Sequence, residues 1–129
     1  MHGKYLLDTS AAIRVLNDPR FLAARPDDTS ETFLCLTVLG ELLFGAANSM
    51  RPGANRNRVL ELLRQCPLVD QDFYTAAHYG EIKASLRKRG RPIPDNDLWI
   101  AACALQYGLI LATRDRHFDH VDGLNTETW

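Results

Sequence analysis

The first hydrophobic run, Tyr5-Leu6-Leu7, stops abruptly at Asp8-Thr9-Ser10, and the helical stretch Ala11 to Leu16 follows until Asn17-Asp18-Pro19 breaks it. A short apolar strand, a polar turn and a helix are how a β-α unit begins. Arg25 to Glu31 is polar and turn-rich. Thr32 to Leu36 then reads as a second buried strand, with Thr37 as N-cap of a helix from Val38 to Ala47. Met50 to Asn57 contains Pro, Gly and Asn and reads as a loop, ahead of a helix over Arg58 to Gln65. Leu68-Val69 is a short strand before a long helix from Phe73 to Arg89. Gly90-Arg91-Pro92-Ile93-Pro94 is stiff and non-helical, because its prolines lack donors and disfavour helix at the residues before them. Asn96 caps a helix to Tyr107, with Gly108 as its C′ residue. Leu109 to Ala112 is the clearest buried strand, and Leu124 to Thr128 adds an edge strand. Strands alternating with helices predict an α/β fold whose parallel sheet is covered on both faces.

The chain has 129 residues, enough for one domain over 1–129 and too few for two ordinary ones. Hydrophobic residues are 46% and charged residues 24%, which excludes wholesale disorder. Fifteen Lys and Arg against sixteen Asp and Glu exclude a histone-like polycation but leave room for a local basic patch. Cys35, Cys66 and Cys103 are odd in number and set among apolar residues, so buried thiols in a reducing compartment are expected rather than a disulfide framework or zinc ribbon. No apolar run reaches the ~20 residues of a membrane span. The N-terminal segment meets Asp8 too early for a secretory leader, and a cytoplasmic protein is expected.

The informative feature is where the acids fall. Asp8 directly follows the first strand, and Asp115 follows the strand ending at Ala112 by the short turn Thr113-Arg114. In open parallel sheets ligands bind outside the carboxyl ends of the strands. At about 100° per residue, Val38, Leu39, Leu42, Leu43 and Ala46 form one apolar face, leaving Glu41 on the other side with Thr37, Phe44, Gly45 and Asn48. Asp97 heads the stripe Asp97, Ile100, Ala101, Ala104 and Leu105, which aims it toward the core. Gathered carboxylates need an offsetting cation or a shared proton, and all-oxygen ligation selects Mg²⁺ or Mn²⁺. Each acid also has a simpler reading. Asp8 is a helix cap, Glu41 a solvated surface acid, Asp95 and Asp97 first-turn acids aiding a helix dipole, and Asp115 an ordinary turn residue.

Lys83, Arg87, Lys88, Arg89 and Arg91 form a basic run leading toward Asp97, while Arg114 and Arg116 flank Asp115. These side chains read either as a solvated face or as phosphate-binding contacts. His117 and His120 have a spacing found among zinc ligands, but no Cys or further His lies near them. Phe73, Ala76, Ala77, Gly80 and Ala84 make a narrow stripe of small side chains. Close helix packing within the monomer is its first reading, and a dimer face the second.

Four stretches carry a family resemblance: Tyr5-Leu6-Leu7-Asp8-Thr9-Ser10; Thr37 to Gly45; Ile93-Pro94-Asp95-Asn96-Asp97-Leu98-Trp99-Ile100-Ala101-Ala102; and Thr113-Arg114-Asp115-Arg116-His117-Phe118. With Val121 to Leu124 they span nearly the whole chain, and it resembles the PIN-domain ribonucleases, specifically the VapC-like toxins of type II toxin–antitoxin pairs. That resemblance implies a three-layer α/β/α sandwich with a mainly parallel sheet and Mg²⁺- or Mn²⁺-dependent cleavage of RNA. Asp8, Glu41 and Asp97 match the family's three core acids and Asp115 the fourth, while Thr9, Ser10 and Thr113 match polar neighbours. Asp8, Asp97 and Asp115 would hold the metal, and Glu41 would ligate it or orient the attacking water. Asp95 competes with Asp97, which is preferred because it directly precedes Leu-Trp-Ile-Ala-Ala. RNA-contacting roles would fall to Lys83, Arg87, Arg91, Arg114 and Arg116. The implied partners are RNA, a cognate antitoxin whose segment enters near the acids, and a second copy in a homodimer or a larger complex with the antitoxin. Other readings are a receiver-like Mg²⁺-binding signalling domain and a non-catalytic RNA-binding module. The first is disfavoured because Asp8 has no acidic neighbour, the second because the acid set is intact.

Overall fold

The structure, a computed structural model, describes residues 3–23 and 31–129. In chain order the elements are β1 (Lys4–Leu7), α1 (Thr9–Asn17), the single-turn α2 (Arg20–Ala23), β2 (Glu31–Cys35), α3 (Leu36–Ala47), α4 (Pro52–Gln65) and β3 (Leu68–Val69). They continue with α5 (Phe73–Lys88), α6 (Asp95–Tyr107), β4 (Ile110–Ala112), a 3₁₀ turn at Arg116–His120 and β5 (Thr126–Glu127). The turn-rich stretch expected at Arg25 to Glu31 lies outside the described residues apart from Glu31, which opens β2.

All strand pairs are parallel, in the order β3-β2-β1-β4-β5. The central strand, β1, is apolar where it is flanked: Leu6, Leu7, Leu34, Leu111 and Ala112 are fully buried. From β1 the chain steps outward to β2 and β3, then crosses back to β4 on the other side. Parallel crossovers are right-handed, so reversing direction puts the helices of the two halves on opposite faces. α1, α3 and α4 accordingly pack together, as do α5 and α6. The expected α/β sandwich is the observed one. The strand order differs from the 2-1-3-4-5 of receiver-like folds, which removes that reading.

Four local expectations need correction. The loop expected at Met50 to Asn57 ends at Arg51, because Pro52 takes the first helical position, where a missing N–H costs nothing. α4 therefore begins six residues before Arg58, with Asn55 bonding Ser49 Oγ at 2.8 Å. Thr37 is not an N-cap. α3 starts at Leu36, and the Thr37 N–H and hydroxyl instead donate to Gln71 Oε1 at 2.8 and 3.0 Å. Asn96 does not cap α6 either, since the helix opens at Asp95 behind Pro94. Finally, Phe73, Ala76, Ala77, Gly80 and Ala84 all lie on the exposed face of α5. That helix packs through Thr75, Ile82 and Leu86 instead, and a Cβ built on Gly80 would meet nothing within 4 Å.

Cys35, Cys66 and Cys103 are free and buried, and burial pushes the Cys66 thiol up to about 11. Among the described residues no helix is long and apolar enough to cross a membrane. α5 and α6 both end in a glycine with positive φ. In each, the residue after the glycine reaches back five residues: Arg91 N–H donates to the Leu86 carbonyl and Leu109 N–H to that of Ala104, both at 2.9 Å. Gly108, at φ 64°, has nothing within 4 Å of an added Cβ, so any penalty there is conformational. Gly108→Ala is expected to lower stability by about 1 kcal/mol in urea unfolding, without changing the far-UV spectrum.

Candidate active site

Strand pairing builds the site before any side chain is considered. Leu7 pairs with Ala112 between β1 and β4, and the Asp8 N–H donates to the Ala112 carbonyl at 3.2 Å. Asp8 and Thr113 thus leave the sheet side by side, although 105 residues separate them. This is also the point where the strand order reverses, the place where open α/β sheets form their binding crevices.

Asp8 takes its simpler reading, that of a helix cap. Its Oδ1 caps α1 by accepting from the Ala11 N–H at 2.8 Å, while its Oδ2 accepts from the Thr113 hydroxyl. Asp8 and Thr113 are each 4% exposed, so this carboxylate is held in one orientation inside the protein. Thr113 Oγ1 in turn accepts from the Asp115 N–H at 2.9 Å. Thr9 places a buried hydroxyl beside Asp8 in sequence, with no hydrogen-bond partner among the described residues, whereas Ser10 is exposed.

Asp97, in the first turn of α6, and Asp115, which caps the 3₁₀ turn, face each other across His117. His117 Nε2 lies 2.8 Å from Asp97 Oδ2, and its Nδ1 lies 2.8 Å from Asp115 Oδ1. One ligand atom from each of the three residues falls within 4.8 Å of the others. Ionised carboxylates only accept, so this arrangement is satisfied by a doubly protonated ring or by a proton on one acid. Burial raises the Asp97 carboxyl above the usual range; contact with His117 opposes that shift, and the charges of Asp115 and Asp8 add to it. Asp8 is therefore coupled to the cluster through Thr113 and through its field, without being one of its three closest members.

Glu41 stands apart. Half-buried on α3, it lines a groove of about 250 Å³ with Ile13 and Asn17 of α1 and Asn55 and Arg58 of α4. Asp95 is separated from Asp97 by its partners: Lys83 Nζ and Tyr79 OH each lie 3.1 Å from its Oδ1, and together they hold its carboxyl below the usual range. It is an exposed ion pair outside the cluster.

The basic residues divide in the same way. Lys83 is committed to Asp95 and Tyr79. Arg89 donates to the His120 carbonyl and lies 3.7 Å from Asp122, and Arg114 Nε donates to the Trp129 carbonyl at 2.6 Å. Arg87, Lys88, Arg91 and Arg116 are exposed and have no side-chain partner among the described residues. The group that residue-by-residue reading did not place here is His117. Its signal was its position two residues after Asp115, obscured by pairing it with His120, whose ring makes no contact with these acids.

A family model described as PIN domain matches residues 5–124. The chain is 36% identical over 129 residues to Ribonuclease VapC2 of Haemophilus influenzae and 32% identical over 129 residues to the tRNA(fMet)-specific endonuclease VapC of Shigella flexneri; each alignment covers 98% of both proteins. Among solved structures it superposes on a chain of VapBC-1 from nontypeable Haemophilus influenzae with a TM-score of 0.86 at 25% identity. It superposes on a chain of DNA-bound VapBC from Salmonella typhimurium with a TM-score of 0.86 at 28% identity, and each match covers 98% of both chains.

The raised Asp97 carboxyl has a stability consequence. The folded state keeps this proton to higher pH than the unfolded chain does, so the contribution is present below the ordinary carboxylate pKa and is lost as pH rises through the folded value. In thermal melts with chelator, Asp97→Asn is expected to exceed the parent in Tm at about pH 7 and to lose that advantage toward about pH 4.

Proposed function

Since the chain belongs to the PIN-domain family, we propose that it is a divalent-metal-dependent endoribonuclease of the VapC kind, a cytoplasmic toxin restrained by a cognate antitoxin and acting as a homodimer. The observation that carries this reading is the convergence of Asp97, Asp115 and His117 beside the Thr113-bound Asp8. The donor set fits the implied ion. Carboxylate oxygens suit hard cations, an imidazole is compatible with Mn²⁺, and the unpartnered Thr9 hydroxyl offers a further oxygen. In the proposal Asp8, Asp97 and Asp115 hold Mg²⁺ or Mn²⁺. When bound, such an ion lowers the pKa of a coordinated water and neutralises charge developing on a phosphodiester.

The remaining work belongs to the chain's own residues. Thr113 locks the rotamer of Asp8, leaving its carboxylate no freedom to swing away from the crevice. His117 keeps the Asp97 and Asp115 oxygens turned toward one point in the absence of a cation, so less reorganisation is needed when one arrives. Glu41, reaching from the α1–α3 side, orients a water for in-line attack on phosphorus, and departure of the 3′-oxygen leaves a 5′-phosphate. Arg87, Arg91 and Arg116, free of acidic partners among the described residues, hold backbone phosphates on either side. Lys83 and Arg114 contribute less, being already engaged. No side-chain nucleophile is required.

Purified chain incubated with single-stranded RNA should cleave it in Mg²⁺ or Mn²⁺ and stop on addition of EDTA, with 5′-phosphates found by end mapping. Asp8→Asn, Asp97→Asn and Asp115→Asn should each lower the rate at least about 100-fold while remaining folded, and Asp95→Asn should leave it near normal. Full activity of Asp97→Asn would remove the proposal. His117→Ala should weaken Mn²⁺ binding by about tenfold in calorimetry, as the loss of an orienting partner of two ligand acids does.

A further inference from the structure

A cavity of about 330 Å³ opens between the end of α5 and the start of α6, lined by Lys83, Leu86, Arg87, Pro92, Ile93 and Leu98. Its floor is apolar and its rim carries two cationic side chains. Leu98, which lines the cavity, directly follows Asp97 in the first turn of α6. Its walls are pre-formed. The α5 terminus is closed by the Gly90 and Arg91 bonds to Arg87 and Leu86, and Pro92 and Pro94 stiffen the connection on which Ile93 sits. Lys83 is anchored by Asp95 and Tyr79, and Tyr79 stacks on Trp99 at 4.1 Å with 16° between the rings. Arg87, by contrast, has no side-chain partner among the described residues.

Volume, lining and charge together select an occupant. The space is at the lower end of pockets that enclose a small organic ligand, and an apolar floor favours a flat ring over a charged group. A free guanidinium at the rim favours an anion attached to that ring. An unpaired nucleotide has both parts, and unpaired bases are the elements of RNA that proteins read by enclosing them. The geometry points to a subsite for one unpaired nucleotide of the RNA substrate, its base in the Leu86–Ile93–Leu98 cavity and its phosphate on Arg87. This inference rests on the nuclease reading and adds to it a place where sequence preference is set. A nucleotide supplies the flat ring and the anion in one unit, whereas a peptide needs two side chains, one apolar and one acidic, to fill the floor and meet Arg87.

The test separates the subsite from the chemistry by measuring binding in EDTA. Fluorescence anisotropy compares a labelled single-stranded decaribonucleotide with an abasic strand of equal length. The parent chain is expected to bind the base-bearing strand tighter by about tenfold. Ile93→Trp, which fills the cavity from a half-exposed connection, is expected to abolish that difference while leaving the salt dependence unchanged; Ile93→Ala, which enlarges it, should reduce the difference only in part. Arg87→Ala should weaken both strands and lower the salt slope by about one. Equal binding of the two strands by the parent, no measurable binding of either, or a preference that survives Ile93→Trp would each overturn the subsite. So would a loss of antitoxin capture in Ile93→Trp with RNA binding untouched, which would make the cavity a protein-docking site. Retained base preference without metal-dependent cleavage would instead bring down the nuclease reading and leave the subsite standing.

Discussion

Two carboxylates ~4 Å apart repel by roughly 4 kcal/mol at an effective dielectric near 20, and this chain sets Asp97 and Asp115 on opposite sides of a single imidazole with Asp8 close behind. The fold supplies the compensation from several directions. Asp8 spends one oxygen on the N-terminus of α1 and the other on Thr113. Asp97 lies in the first turn of α6, where the helix dipole favours negative charge. His117 satisfies one oxygen of each remaining acid. Every element that meets at this edge therefore carries part of the electrostatic load, which is why strand register, caps and helix starts agree on one place.

Much of this was legible because it depends on local pattern. Short apolar runs ending in acids identified β1 and β4 and the strand ends at which Asp8 and Asp115 lie. The alternation of elements implied a parallel sheet. What pattern could not separate was the pair Asp95 and Asp97. The two residues are equivalent first-turn acids until tertiary packing puts Lys83 and Tyr79 beside one and His117 beside the other. The family resemblance preferred Asp97, and the contacts show only that the two acids have different partners.

The misses share a cause. Thr37, Asn96 and Pro52 were read by capping and turn statistics, and each was overridden by something distant or by an adjacent proline: Gln71 for Thr37, Pro94 for Asn96, and Pro52's own fitness for a first turn. The small-residue stripe of α5 was assigned inward because small side chains permit close packing. The helix instead turns its longer residues, Ile82 and Leu86, toward the core. Glu41 matched its expected helix, where it lines a groove shared with α1 and α4.

The bond from Thr113 to Asp8 joins residues 105 positions apart, and β1 cannot be paired on both sides until β4 arrives. Pairing at such separation is slow, because the entropy of closing a long loop is lost before any contact repays it. An emerging polypeptide therefore carries Asp8 as an isolated acid through most of its synthesis. The carboxylates are therefore brought together only after the last quarter of the chain has folded back onto the first strand.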